Sequence, residues 1–171
     1  MAKLRKFAAY RGLNRPYTRK SKYRAKSFVR SNPHNRISRY NMGNLNAEFT
    51  HVLDLVVDAT LQIRDNALES ARLVTLRRLE KNIGKIAFYF KIRVHPHHIL
   101  RENPLASGAG ADRMSTGMKC SFGKAIGVAA QLKKGQTLFR VTCNEEHVAF
   151  AKEALALAGT KLPCHCRVII R

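Results

Sequence analysis

The chain is organised around residues 95–124, which read HPHHILRENPLASGAGADRMSTGMKCSFGK. This stretch is rich in Gly, Ser, Ala and cations, and it shows neither helical nor strand periodicity, so we expect a long functional loop. A loop of this length inside a compact domain is either disordered or held by a partner. Its glycines allow positive φ and close backbone approach to a ligand. Its cations outnumber its acids, which makes RNA phosphate a suitable partner: Arg101, Arg113, Lys119 and Lys124 stand against Glu102 and Asp112.

The net charge of the chain points to the same kind of partner. The 171 residues, 45% of them hydrophobic, are enough for one domain with a real core. Against 11 Asp and Glu stand 32 Lys and Arg, which gives a formal charge of +21. Charge of this size exceeds what solubility requires and predicts a polyanionic partner. No apolar run reaches the roughly 18 residues of a membrane span and no signal-peptide pattern opens the chain, so we expect a soluble, cytoplasmic protein without a membrane partner.

Residues 1–47 are predicted to form a basic N-terminal arm that binds RNA. They contain thirteen Lys or Arg and no Asp or Glu. Aromatic residues are spaced among these cations and can stack on bases once phosphates neutralise the repulsion. A disordered solubilising tail is the alternative, but such a tail would tolerate acids and needs no aromatic residues. The residues expected to contact RNA here are Lys3, Arg5, Arg11, Arg15, Tyr17, Arg19, Lys20, Lys22, Arg24, Arg36 and Arg39.

Residues 48–171 are predicted to form one α+β core. Apolar residues at alternate positions from Leu53 to Ile63 indicate a strand with one buried face. Asp65 then offers an N-cap, and a helix is expected as far as about Asn82, where Gly84 ends it. The cations of this helix are assigned either to solvent or to RNA: Arg72, Arg77, Arg78 and Lys81.

Further strands and a second helix follow in the remaining sequence. Alternation from Ile86 to Val94 gives the clearest strand, and this strand leads directly into the loop. Residues 125–132 and 136–143 are expected to form a hairpin across Lys133-Lys134-Gly135. Asn144 is the expected cap of a helix over residues 145–158, and residues 167–170 form a last strand.

Three motifs could indicate other chemistry. Gly108-Ala109-Gly110 is not a dinucleotide fingerprint, because Arg113 occupies the position of the third glycine. The histidines at 95, 97 and 98 have neither carboxylate nor Cys at ligand spacing. Cys164 and Cys166 lie on alternate residues of a strand and could share a metal, but the favoured interpretation is a half-buried strand that uses Cys as a small apolar residue. We therefore expect no metal, no cofactor and no enzyme activity.

The motifs of the loop are similar to those of a known family. Ala109-Gly110-Ala111-Asp112-Arg113-Met114, Thr116-Gly117-Met118-Lys119 and Phe122-Gly123-Lys124 follow Arg93-Val94-His95-Pro96. Further similar segments are Arg15-Pro16-Tyr17, residues 67–72 and Lys161-Leu162-Pro163. Together they resemble the universal large-subunit ribosomal protein family numbered sixteen in bacteria and ten in archaea and eukaryotes. The motif at 109–114 is similar to the archaeal type.

The resemblance implies a fold and a function. The fold is a mostly antiparallel sheet with two helices against it, and a turn near Asp58 breaks the strand at 53–63. The function is structural: binding large-subunit ribosomal RNA beside the aminoacyl-tRNA site, with the loop pointing toward the peptidyl transferase centre. Implied partners are that RNA, the tRNA acceptor arm and neighbouring ribosomal proteins, with the chain a monomer in the cytoplasmic ribosome. Further residues expected at the RNA are Arg93, His95, His97 and Lys124, and those at the tRNA site are Gly110, Asp112, Arg113, Met114, Gly117, Met118 and Lys119.

One alternative function belongs to a different class. An RNA-modifying or RNA-processing enzyme could use the basic surface to hold its substrate and the loop as a catalytic lid. The sequence contains no nucleophile elbow and no other recognisable catalytic set, which favours the structural role.

Overall fold

The computed structural model describes residues 5–13, 22, 23, 25, 28, 29, 31–106 and 108–171, with the backbone alone at Asp112 and Met114. It confirms the predicted α+β class. The strands are β1 Asn41–Gly43, β2 His51–Val57, β3 Leu61–Arg64, β4 Phe88–Ile92, β5 His98–Glu102, β6 Lys124–Leu132, β7 Thr137–Cys143 and β8 Cys166–Ile170. The helices are α1 Asp65–Asn82, the single turn α2 Ala111–Met114, and α3 Val148–Gly159, with 3-10 turns at Phe7–Tyr10, Gly117–Cys120 and Glu145–His147.

The strands form two antiparallel sheets. The main sheet has the order β1-β4-β7-β2-β8, and the small sheet has the order β3-β6-β5. Within the main sheet Phe90 lies opposite Val141, and Leu55 lies opposite Phe139 on one side and Val168 on the other. β3 follows β2 after a turn over residues 58–60, as the family resemblance implied, and that turn carries the chain from one sheet to the other.

The core lies between the main sheet and the helices α1 and α3. Phe90 and Phe139 meet edge to face, with ring centroids 5.4 Å apart. Leu68 of α1 and Leu155 of α3 are fully buried in the same cluster, and the two helices pack against each other. Burying aromatic and branched side chains of this size supplies the main driving force for folding.

Helix α1 ends as the sequence predicted, but its N-cap is not the predicted residue Asp65. The cap position is Arg64, and Asp65 is the first helical residue. The Asp65 carboxylate accepts the backbone N–H groups of Asn66 and Arg36, at 2.8 and 3.1 Å, which suits a negative charge at a helix N-terminus. Gly84, with φ +90°, ends the helix as predicted. Helix α3 starts only at Val148, after a 3-10 turn, and Asn144 makes no side-chain capping bond within the described chain.

The predicted hairpin between residues 125–132 and 136–143 is wrong. The turn at 133–135 exists, but β6 pairs with β3 and β5, whereas β7 pairs with β2 and β4. The Gly135 N–H donates to the Val57 carbonyl at 2.8 Å, so the turn is fastened to the end of β2. Because two sheets share the core, sequential strands cross between them instead of pairing.

The single buried face expected for 53–63 is also wrong for β2. Asp54 and Val56 are buried together with Leu53, Leu55 and Val57. The alternation of apolar and polar residues predicted that Asp54 faces solvent. It is buried instead, because Arg140 of the neighbouring strand β7 donates two hydrogen bonds to its carboxylate and balances its charge.

The loop expected at residues 95–124 contains regular structure. Residues 98–102 form strand β5, which pairs with β6 from His98 opposite Ala129 to Glu102 opposite Lys124. The only consecutive apolar residues of this strand are Ile99 and Leu100, too short a run to predict a strand from sequence. Pairing with β6 therefore decides its conformation, and the loop is reduced to residues 103–123.

The expectation that residues 1–47 form an arm separate from the core also needs correction. Within the described part, Tyr10, Val29, Ile37 and Met42 are buried, and β1 is a strand of the main sheet. Their apolar side chains occupy sites on the two sheets that would otherwise be solvated. The described part of the basic segment is therefore packed largely against the core, while the cations within that part remain exposed.

Candidate RNA interface

Residues 5–13, which we call the N-terminal segment, lie across one face of the small sheet. The Tyr10 side chain packs on Leu100 and Ala129. Its backbone carbonyl and that of Gly12 accept hydrogen bonds from the Gln62 side-chain amide. The Arg64 guanidinium donates to the Arg5 carbonyl at 3.0 Å. A basic segment is thereby held on the sheet by its backbone, which leaves its cationic side chains available at the surface.

Cations also gather where β5 and β6 meet the loop, a region we call the loop base. Arg5 forms an ion pair with Glu102, and Glu102 lies opposite Lys124 in the sheet. Arg101 stacks over the Phe122 ring, 3.9 Å from its centroid, and donates to the Phe122 carbonyl at 2.9 Å. The predicted residues Arg5 and Lys124 are thus brought together, although they are more than a hundred positions apart in the sequence.

Gly123 fixes the path of the loop at its base. It has φ +82°, and a Cβ at this position would lie 2.7 Å from the carbonyl carbon of Glu102. The Asn103 side-chain amide donates to the Gly117 carbonyl at 3.1 Å, which ties the interior of the loop to the residue that follows β5. These contacts anchor the loop to the end of β5.

The predicted tRNA-site residues lie at the far end of this loop. Gly110, at φ +85°, precedes the turn α2, and the Arg113 N–H donates to its carbonyl at 3.1 Å. The side chains of Arg113, Met118 and Lys119 are exposed, and Gly117 also has positive φ, at +60°. The tip therefore presents two cations and a flexible apolar side chain to the outside.

The two predicted histidines precede β5 and lie at the end of this strand away from the loop base. His95 stacks on Tyr40 with ring centroids 5.4 Å apart and an interplanar angle of 15°. His95 and His97 line a small cleft of about 150 Å³ together with Asn32 and Pro33. Burial raises the pKa of Tyr40, so its hydroxyl stays neutral and can donate or accept.

The remaining predicted residues divide into exposed and undescribed ones. Arg11 lies over the Phe7 ring at 5.5 Å and Lys22 over the Tyr23 ring at 5.1 Å. Arg36, Arg39 and Arg93 are exposed. Outside the described residues lie Lys3, Arg15, Tyr17, Arg19, Lys20 and Arg24.

The cations of helix α1 separate into two groups. Arg72 is buried and donates to Glu69 and Ser38, and Arg78 forms an ion pair with Glu153 of α3. The Arg72 hydrogen bond lowers the pKa of the Glu69 carboxyl. Arg72 therefore joins helix α1 to Ser38, and Arg78 joins α1 to α3. Arg77 and Lys81 remain exposed.

Sequence reasoning missed Arg64, Gln62 and His98 as residues of this surface. All three lie on the face of the small sheet that the N-terminal segment covers. Gln62 lies opposite Gln131 of β6, and Arg64 and His98 lie opposite Ala129 on its two sides. A polar residue alternating with Leu61 and Ile63 was the available signal for Gln62, since a buried amide requires partners.

The two cysteines considered as metal ligands, Cys164 and Cys166, lie close together in the structure. Sγ of Cys164 and Sγ of Cys166 lie 3.7 Å apart, on the same side of the chain as their spacing predicted. Among the described residues, no group of three or more His, Cys, Asp or Glu side chains is placed to hold a metal ion. In the same part of the chain, none of the helices has the length and apolar character needed to cross a membrane.

Comparison with known proteins agrees with the motifs at 93–124. The model of the ribosomal protein L16p/L10e family matches residues 14–169. The large ribosomal subunit protein uL16 of Methanococcus aeolicus is 44% identical over 168 residues, covering 98% of this chain and 94% of the relative. The proteins of the same name from Methanoculleus marisnigri and Methanospirillum hungatei are 44% and 43% identical, each covering 88% of this chain and 88% and 89% of the relative.

Proposed function

Since the chain belongs to the ribosomal protein L16p/L10e family, we propose that it is a structural constituent of the large ribosomal subunit. The observation that carries this proposal is the family match over residues 14–169, together with archaeal relatives named as large-subunit proteins. The formal charge of +21 supports it, because a polyanion the size of ribosomal RNA can neutralise such a charge.

Ribosomal RNA is bound, in this proposal, by the face that carries the N-terminal segment and the loop base. Arg5, Arg11 and Lys124 expose their side chains there. Phosphate contacts of this kind position a protein on RNA, and exposed aromatic residues such as Tyr23 and Phe28 can stack on unpaired bases. His95 and His97 are proposed to make a separate RNA contact, at the other end of β5.

The loop tip is proposed to reach the aminoacyl-tRNA site and the tRNA acceptor arm. Its exposed cations Arg113 and Lys119 suit phosphate, and Arg can grip a phosphate or a base edge with two parallel hydrogen bonds. Gly110 and Gly117, both at positive φ, let the backbone approach RNA closely. The role of Asp112, Met114 and Met118 is positional, and no residue of the tip acts as a catalyst.

Neighbouring ribosomal proteins are the proposed partners of helix α3 and strand β8. Helix α3 and strand β8 expose Phe150, Ile169 and Ile170. Apolar side chains exposed on adjacent elements are typical of protein contacts. The assembled chain acts as a monomer within the cytoplasmic ribosome.

Sedimentation of a cell lysate tests the subunit assignment. A structural constituent stays with large subunits after a wash at moderate salt, because many contacts hold it. An RNA-modifying enzyme, the alternative from another class, washes off under the same conditions. Recovery of the chain only in the soluble fraction would contradict the proposal.

Replacing Arg113 tests the role of the loop tip. We expect Arg113→Ala to fold and enter subunits but to slow tRNA accommodation or peptide-bond formation, since misplacing a bound group by about 1 Å can cost on the order of a hundredfold. Arg113→Lys should restore part of the rate, because it keeps the charge and loses the fork.

The matched control is Lys152→Ala, which removes an exposed cation from helix α3. Subunits that carry this control should translate at the normal rate. If Arg113→Ala subunits translate as fast as the control and as accurately, the tip is a spacer and the assignment of the tRNA site is wrong.

A further inference from the structure

A cleft of about 430 Å³ separates the N-terminal segment from the edge of the small sheet. Arg5, Tyr10 and Gly12 form one wall, and Gln62, His98 and residues 99–103 form the other. A cleft of this size is within the range of small-molecule sites and is large enough for one nucleotide.

Two residues that line this cleft each carry a buried polar atom without a hydrogen-bond partner among the described residues: Oε1 of Gln62 and Nδ1 of His98. Gln62 is 3% exposed and His98 is 7% exposed, so both side chains are more than nine-tenths buried. A buried polar atom without a partner is unfavourable, so folding alone does not explain why both residues line the same cleft.

The neighbours of Gln62 determine which of its atoms is available. Nε2 faces the backbone carbonyls of Tyr10 and Gly12, both of which can only accept. Turning the amide over would place Oε1 against these two acceptors, which is unfavourable. Oε1 is therefore the unsatisfied atom, and an N–H or O–H group of a ligand would satisfy it.

His98 adds a second buried atom, Nδ1, which can be either a hydrogen-bond donor or an acceptor. Burial lowers its pKa, and the charges of Arg101 and His97 lower it further, so the ring is neutral at pH 7. A neutral imidazole carries one N–H donor and one acceptor, and the proton can reside on either nitrogen. With the amide of Gln62 on β3 and His98 on β5 facing the same side of the sheet, the pair can meet a ligand edge that carries a donor beside an acceptor.

Phosphate is disfavoured inside the cleft although Arg5 and Arg101 line it, because Arg5 is paired with Glu102 and Arg101 is engaged with Phe122. Glu102 also lines the cleft, and its carboxylate already accepts from Arg5 and the Tyr10 hydroxyl. A phosphate inside would meet this carboxylate, whereas a neutral heterocycle would not. Arg11 is exposed and does not line the cleft, so it is available to the backbone of a nucleic acid.

We propose that this cleft binds one unpaired base of the ribosomal RNA, inserted with its polar edge toward Gln62 and His98. Sequence-specific recognition of RNA targets such extruded bases, through hydrogen bonds to their edges. The inference deepens the proposed function and rests on it, since it names one site on the RNA-binding face. The cleft would make that face selective for RNA with an accessible base, beyond its attraction to phosphate.

Two labelled single strands of RNA test the proposal with the full chain: one intact, and one carrying abasic riboses at its centre. Fluorescence anisotropy should show the wild-type chain binding the intact strand roughly tenfold more tightly, in line with the contribution of one bound base. In Gln62→Met and in His98→Phe this ratio should fall to within about twofold of unity, with the salt dependence unchanged. The matched control is Gln131→Met, which makes the same substitution on β6 opposite Gln62 and outside the cleft.

The outcomes separate this inference from the proposed function. If wild-type and both variants show the same ratio, the cleft binds no base, and the inference is overturned while RNA binding stands. If the wild-type chain binds neither strand in a salt-dependent manner, the proposed function fails and the inference fails with it.

Nuclear magnetic resonance of the wild-type chain decides the matter if either variant unfolds. AMP should shift the ring signals of His98, and ribose 5-phosphate, which lacks a base, should leave them in place. Unmoved signals with AMP would overturn the inference. Binding of AMP more tightly than the intact strand would do so as well, since the cleft would then be a site for free nucleotides.

Discussion

Among the described residues, Asp54 is the charged side chain with the least solvent exposure. It is 0% exposed, and its two carboxylate oxygens accept from Nε and Nη2 of Arg140 at 2.7 and 2.8 Å. The same hydrogen bonds raise the pKa of Arg140. We expect Asp54→Asn to lower the free energy of unfolding by about 2–3 kcal/mol, because the partly buried guanidinium loses its counter-charge. Urea denaturation of the purified chain measures this loss.

A second aspartate provides the control at the residue scale. Asp58 pairs with Arg167 at 2.6 Å, but Arg167 is 67% exposed and water can replace its partner. Asp58→Asn should therefore change the stability by only about 0–1 kcal/mol. Equal losses in the two variants would mean that enclosure of Asp54 adds nothing to the pair.

At the scale of elements, the joint between β5 and β6 fixes where the loop leaves the sheet. Gly123 combines positive φ with a close approach to the carbonyl of Glu102. In Gly123→Ala the new Cβ must displace that backbone, so we expect the free energy of unfolding to fall by roughly 2–4 kcal/mol. Amide chemical shifts should change along β5 as well as at the substitution.

Gly135→Ala is the matched control for this joint. Gly135 has nearly the same φ, +85°, and a Cβ there would have nothing within 4 Å. Its replacement should cost only the strain of a left-handed Ala, about 1 kcal/mol. If the two alanine variants lose the same stability, the contact with Glu102 is not what fixes the loop.

For the molecule as a whole, the excess of positive charge predicts RNA binding that weakens steeply with salt. Each neutralised phosphate contributes roughly 0.7–0.9 to the slope of log K against log salt. Arg11→Gln should reduce the slope by about that amount, because Arg11 is exposed on the proposed face. Arg78→Gln, in contrast, removes a cation that pairs with Glu153, and the slope should remain unchanged. A flat salt response of the wild-type chain would contradict the electrostatic basis of the proposal.

Local patterns predicted the elements of this molecule better than their arrangement. Helix α1 and strand β4 follow from periodicity, because each buries one regular face. The pairing of β6 with β3 and β5 could not be predicted, since a turn of three residues normally joins partners in one sheet. Strand β5 was missed because its conformation depends on β6, whose pairing the local pattern does not contain.

The sequence predicted which kinds of residue form the candidate site, but not how these residues are arranged in space. The acid-free run and the Gly-rich loop indicated RNA and identified cations such as Arg5 and Lys124. Their meeting at the loop base depends on the backbone of the N-terminal segment being bound by Gln62 and Arg64, contacts that join residues about fifty positions apart. Burial of Tyr10 and Met42 was likewise hidden, because the surrounding cations dominate the composition of residues 1–47.

The position of β8 at the edge of the main sheet has a consequence for synthesis. β2 pairs with β7 on one side and with β8 on the other, and residues 166–170 follow β2 by more than a hundred positions. While the chain is being translated, β2 must wait with open hydrogen-bonding edges until both partners have left the exit tunnel. An unpaired strand edge with apolar neighbours is a template for aggregation. We therefore expect the growing chain to be more prone to aggregation before β8 pairs with β2 than after it.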